Sequence, residues 1–156
     1  MPKAVLDRKV PDFSLPGTGA GEVWSLKAAA GKKLVIFFYP KDMTSGCTLE
    51  AQGFRDQAAA FKRAGTLIVG ISRDSLASHE KFCAKEKLPF TLLSDSDEKV
   101  CGLFDVIREK SLYGRKYLGI ERSTFLIDAA GFLRREWRKV KVNGHVEEVL
   151  EAAKCL

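Results

Sequence analysis

The chain has no C-x-x-C pair and no group in which its four cysteines (47, 83, 101, 155) and two histidines (79, 145) stand at metal-ligand spacing, which argues against a dithiol exchanger and a zinc site. No apolar run approaches the about 18 residues of a membrane span, and charge interrupts every apolar stretch from Met1 to Lys9, as it would not in a secretory signal. Internal repeats, low-complexity tracts and linkers are missing as well. With 156 residues the sequence can bury an adequate core in one domain, 1–156, without disulfides or metal to staple it. These absences predict a cytoplasmic protein, a compartment where cysteines are more often catalytic or redox-sensing than structural.

The charge balance is basic, with 26 Lys and Arg against 20 Asp and Glu. The densest cluster is Arg134, Arg135, Arg138, Lys139 and Lys141, with Trp137 among them. A basic patch around an aromatic could bind nucleic acid, but no nucleic-acid motif accompanies it, and the cluster reads as the solvated edge of a sheet.

Unbroken apolar runs at Leu34–Phe38, Leu67–Ile71 and Thr124–Ile127 have the pattern of strands buried on both faces, and they predict a central, partly parallel sheet. Phe90–Leu93 and Phe132–Trp137 read as further strands, the last at an edge. Val10–Leu15 and Glu22–Leu26 resemble a hairpin preceding the main fold. Helices are expected at about Cys47–Ala64, ended by Gly65, at Ser75–Lys87, stopped before Pro89, at Asp97–Phe104 and at Val146–Lys154. Strand and helix alternate, which makes the chain an α/β layered domain.

The segment Tyr39-Pro40-Lys41-Asp42-Met43-Thr44-Ser45-Gly46-Cys47-Thr48-Leu49-Glu50 leaves a strand, crosses a polar turn and sets a cysteine where a helix begins. Unpaired amides and the positive dipole end of a helix stabilise a thiolate there. Cys47 falls on the stripe of Ala51, Phe54, Ala58 and Phe61, so its sulfur should face the sheet. Pro40 fixes the chain as it leaves the strand, Thr44 offers a hydroxyl, and Gly46 permits close approach. An inert buried cysteine remains the alternative.

Pro40-x-x-x-Thr44-x-x-Cys47 resembles the active-site signature of the peroxiredoxins. Tyr39-Pro-Lys-Asp with Gly46-Cys47-Thr48 and Glu50 is similar to their bacterioferritin comigratory protein, or peroxiredoxin Q, subfamily. Val10-Pro11-Asp12-Phe13, Gly70-Ile71-Ser72 and Glu121-Arg122-Ser123-Thr124-Phe125-Leu126-Ile127-Asp128 extend the likeness over nearly the whole chain. It implies a thioredoxin fold of the peroxiredoxin type, with an N-terminal β-hairpin and a central mixed sheet flanked by helices. It also implies reduction of hydrogen peroxide and organic hydroperoxides, without metal, flavin or haem. Cys47 corresponds to the peroxidatic cysteine, Thr44 to a hydrogen-bond partner of the sulfur and peroxide, Arg122 to a cation beside the thiolate, and Glu50 to the acid that orients it.

Many members carry a resolving cysteine five residues after the peroxidatic one, where this chain has Gln52. The setting His79-Glu80-Lys81-Phe82-Cys83 resembles the branch that resolves from the second helix, so Cys83 takes that role by resemblance. Cys101 matches no functional position and is expected in the core, and Cys155 is a terminal thiol. Mid-helix Gly53, costly in a helix, is a candidate aid to unwinding. The sequence therefore points to a monomeric two-cysteine peroxidase that forms a Cys47–Cys83 disulfide, reduced by thioredoxin or a similar dithiol, with no nucleic-acid or membrane partner. A one-cysteine peroxidase resolved by an external thiol, a basic nucleic-acid-binding module and a thioredoxin-like disulfide exchanger are the alternatives.

Overall fold

The computed structural model describes residues 3–19 and 23–156. Strands β1 (Ser14–Leu15) and β2 (Trp24–Ser25) pair antiparallel, a shorter hairpin than expected because Leu26 already enters a 3-10 turn; Glu22 lies outside the described residues. Then follow β3 (Lys33–Phe38), α1 (Ser45–Asp56), α2 (Ala58–Arg63), β4 (Thr66–Ser72), α3 (Leu76–Glu86), β5 (Thr91–Ser94) and α4 (Lys99–Leu103). The chain continues through β6 (Ile107–Leu112), β7 (Arg115–Ile120), β8 (Ser123–Ile127), β9 (Leu133–Trp137) and α5 (His145–Lys154).

The main sheet has the order β5-β4-β3-β8-β9, with β3, β4 and β5 parallel and β8 and β9 antiparallel to their neighbours. Side chains alternate across a strand, so β3 serves two cores at once. Leu34, Ile36 and Phe38 join Val10, Phe13, Val100, Phe104 and Phe125 on one face. Val35, Phe37 and Tyr39 join Cys47, Ala51, Phe54, Phe61, Phe82 and Val149 on the other. Phe37 stacks on Phe54 with centroids 4.7 Å apart, which fixes α1 against the sheet. Among the described residues no helix is long and apolar enough to cross a membrane.

Three differences from the sequence reading have physical causes. The single helix expected to Ala64 is interrupted at Gln57, with φ −101° and ψ 7°, whose N–H closes the last turn of α1 on the Gly53 carbonyl at 3.2 Å and on the Arg55 carbonyl. Gly53 has a packing reason as well: a Cβ there would lie 2.9 Å from Val146 Cγ2, so α1 and α5 could not approach as they do. The β6–β7 hairpin carries no periodic signal in the sequence, because its residues are mostly exposed or half-buried and show no apolar alternation. Its turn, Tyr113-Gly114, has positive φ at both residues, the geometry that tight hairpins prefer.

The basic cluster is largely held by internal contacts. Arg134 pairs with Asp128 and Asp7, Arg138 donates to Glu136 and to the Phe104 and Asp105 carbonyls, and the Arg135 guanidinium lies 4.9 Å over the Trp137 ring. They decorate edge strand β9 and the segment after it.

Candidate active site

The apolar end of β3 delivers the chain to Pro40 and a tight turn, in which Met43 takes a left-handed φ of 62°. Thr44 caps α1 in an extended conformation, and its carbonyl accepts the first helical bond, from Thr48 N–H at 2.8 Å. Cys47 is therefore the third residue of α1, where the amides of the first turn have no partner within the helix. Its side chain is 1% exposed, packed on the inner stripe of α1 above the sheet.

Arg122, from the short link between β7 and β8, reaches across to this turn. Its Nη2 donates to Cys47 Sγ at 3.3 Å and its Nη1 to Glu50 Oε1 at 2.7 Å. Cys47 and Glu50 are three residues apart on one helix face, so a single planar guanidinium serves both. Gly46 makes room for it, since a Cβ there would stand 3.1 Å from Arg122 Nη2. Burial alone would loosen the proton of Arg122, but Glu50 and Cys47 more than offset this and raise its pKa, so the cation is secure.

Glu50 is fully buried and its Oε2 has no hydrogen-bond partner among the described residues. Burial pushes its pKa up to about 7, with Arg122 opposing the rise. A carboxyl whose pKa is higher folded than unfolded keeps its proton longer in the native state, so stability falls as pH rises from about 4.5 to about 7. Comparing wild type with Glu50→Gln by urea denaturation should show the wild type losing roughly 2 kcal/mol relative to the variant between pH 5 and pH 8. A difference independent of pH would mean that Glu50 is ionised throughout.

Thr44 departs from expectation. Its hydroxyl donates to the Lys41 carbonyl at 2.8 Å instead of to sulfur, because the turn folds back on itself; the oxygen lone pairs remain able to accept. Cys83 sits half-buried on α3 at the margin of the core that contains Cys47, with Thr18 Oγ1 at 3.6 Å. Burial pushes its thiol pKa up while Thr18 pulls it down. Cys101 lies in the opposite core, its pKa driven up by burial and then by Asp95, and Cys155 is exposed after α5. Gln52 donates to Glu86 Oε1 at 2.8 Å and Arg55 to the Glu86 carbonyl at 2.9 Å, tying α1 to α3.

Lys110 is a neighbour that the sequence did not single out. It comes from the β6–β7 hairpin, and its pKa is lowered by burial first and by Arg122 next, with Cys47 acting the other way. A cavity of about 530 Å³ lined by Lys9, Leu26, Lys32 and Gly131 contains none of these residues, and the chemistry lies elsewhere.

The sequence matches the AhpC/TSA family over residues 6–136. It is 50% identical over 99% of its length to peroxiredoxin Bcp of Xanthomonas campestris, covering 98% of that protein. Peroxiredoxin Bcp of Bacillus subtilis is 49% identical, over 96% of this chain and 94% of the relative. A structure of the Xanthomonas campestris bacterioferritin comigratory protein, studied for its alkyl peroxide reduction activity, superposes with a TM-score of 0.86 at 50% identity, covering 92% of this chain and 90% of that one.

Proposed function

The chain belongs to the AhpC/TSA family, in its bacterioferritin comigratory protein or peroxiredoxin Q branch with a thioredoxin fold, and on that premise we propose that Cys47 is the peroxidatic cysteine and Cys83 the cysteine that resolves it. As a peroxiredoxin it is a thiol-dependent peroxidase. The observation that carries the residue assignment is the Arg122 guanidinium bridging Cys47 Sγ and Glu50.

The Cys47 thiolate attacks the nearer peroxide oxygen. An S–O bond forms, the O–O bond breaks, and the departing hydroxide or alkoxide takes a proton, leaving a sulfenic acid. The always-charged Arg122 stabilises the thiolate and the charge developing on the departing oxygen. Thr44, with its oxygen free to accept, supports orientation of the hydroperoxide O–H, and Pro40 sets the turn. Glu50 holds the guanidinium in place. The alkyl peroxide activity of the Xanthomonas relative supports organic hydroperoxides as substrates.

In the second step the Cys83 thiolate attacks the Cys47 sulfur of the sulfenic acid, an S–S bond forms as the S–O bond breaks, and the departing hydroxide takes a proton to leave as water. Cys83 shares the Cys47 core, whereas Cys101 lies across the sheet. A disulfide needs Cα atoms within about 7 Å and Cβ vectors that converge, and since Cys47 is buried beneath α1 while Cys83 is half-buried at the margin of the same core, we infer that α1 and α3 loosen to bring the two sulfurs together. Thioredoxin or a similar dithiol then reduces the disulfide, and the protein works as a cytoplasmic monomer of one domain. No step uses a cofactor.

Coupled to thioredoxin and its reductase, the protein should consume hydrogen peroxide and an alkyl hydroperoxide catalytically. No turnover with either would defeat the proposal. Arg122→Met should slow sulfenic acid formation by about 100-fold, the scale of one electrostatic donor lost from a preorganised site. A rate within two-fold of wild type, measured by rapid mixing, would make Arg122 a bystander.

A further inference from the structure

Beneath the starts of α1 and α3 lies a buried polar cluster that the chemistry above does not use. Asp42, five residues before Cys47, and His79, four before Cys83, are 4% and 0% exposed. His79 Nδ1 is 2.7 Å from Asp42 Oδ2, and His79 Nε2 is 2.9 Å from the Leu93 carbonyl of β5. Tyr39, the residue after β3, donates its hydroxyl to Asp42 Oδ1 at 2.6 Å, and its oxygen sits 3.3 Å from His79 Nδ1. Ser78 donates to Asp42 Oδ2 at 2.8 Å, and the Asp42 amide donates to Asp74 Oδ2 at 2.9 Å. The turn after β3, α3 and β5 thus meet on one carboxylate and one imidazole, and the segment before α3 holds the turn through the Asp42 amide.

The proton inventory shows what kind of contact this is. Nε2 faces only a carbonyl, which cannot donate, so it must carry hydrogen. Nδ1 faces a carboxylate whose other oxygen already receives the Tyr39 proton. A neutral ring beside an ionised carboxylate would set lone pair against lone pair at 2.7 Å, so a further proton lies between Nδ1 and Oδ2. Asp42, Asp74 and His79 gather within 4.8 Å as metal ligands might, yet both ring nitrogens and both Asp42 oxygens are occupied by these bonds. The cluster is a closed clamp with every polar group satisfied.

We infer that His79 is a positioning residue for the peroxidase cycle: its buried proton-sharing pair with Asp42 clamps the Cys47 turn to the helix that bears Cys83, favouring peroxide attack while it is closed and permitting disulfide formation when it opens. This rests on the assignment of Cys47 and Cys83 above. The geometry gives the clamp opposite effects on the two steps. Closed, it holds the turn that presents the Cys47 sulfur to Arg122. The same closure restrains the first turns of α3, which must yield for Cys83 to reach a sulfur that is otherwise buried. A residue that shifts a two-state equilibrium changes the steps favoured by each state in opposite directions.

Single-turnover measurements on the whole protein test this. In His79→Gln, sulfenic acid formation should slow by roughly three- to ten-fold while disulfide formation speeds by a comparable factor, and over-oxidation at high peroxide should decline. A merely structural role would lower both rates together, and that result, or two rates within two-fold of wild type, would overturn the inference. Ser78→Ala removes one Asp42 bond at the surface of the cluster and carries the same opposite-signed expectation at smaller size should His79→Gln not fold. If wild type forms no Cys47–Cys83 disulfide, the functional assignment fails, and amide exchange in the reduced variants still decides the clamp. Faster exchange at residues 42–47 together with 76–83 supports it, and unchanged exchange in either segment overturns it.

Discussion

Cys47→Ser is expected to abolish peroxide reduction, by at least about four orders of magnitude, because a hydroxyl provides no nucleophilic anion at neutral pH. The loss should be chemical and not structural. Cys47 is packed within the core beneath α1, and serine changes one atom there while leaving the Arg122–Glu50 pair in place. The melting temperature should therefore move by only a few degrees while the coupled assay falls to background. Turnover clearly above the uncatalysed rate in this variant would remove Cys47 from the mechanism.

Cys83→Ser should divide the cycle in two. Sulfenic acid formation should proceed at close to the wild-type rate, because the sulfur, Arg122, Glu50 and the turn are untouched. Sustained turnover with thioredoxin should collapse by about 100-fold or more, since the sulfenic acid has no internal thiol to condense with and advances toward sulfinic acid as peroxide accumulates. Normal cycling with thioredoxin would instead favour resolution by an external thiol and a one-cysteine peroxidase.

Legibility of the fold varied with the locality of its causes. Leu34–Phe38, Leu67–Ile71 and Thr124–Ile127 announce buried strands because each is apolar on both faces, and they lie adjacent in the sheet as β3, β4 and β8. The β6–β7 hairpin gives no such signal, since its strands stand largely in solvent and Tyr113 occupies a left-handed position where asparagine would have marked the turn. At the site, the placement of Cys47 in the first turn of a helix was readable from the turn residues before it. Arg122 was not readable locally, because 75 residues separate it from the sulfur it touches, and only the family resemblance joined them. Thr44 donates its hydroxyl proton to the Lys41 carbonyl in this structure, a local bond that the resemblance did not specify. The Asp42–His79 pair was invisible for the same reason as Arg122: two ordinary polar residues acquire meaning only when β3, α3 and β5 meet.

The most direct test of the central claim is a mass spectrum of the reduced protein after one equivalent of hydrogen peroxide, digested without reductant, with the cross-linked peptides identified. The account predicts one intramolecular disulfide joining the peptide of Cys47 to that of Cys83, with Cys101 and Cys155 still free. A link from Cys47 to Cys101 or Cys155, or a Cys47 sulfenic acid that persists with Cys83 reduced, would contradict it.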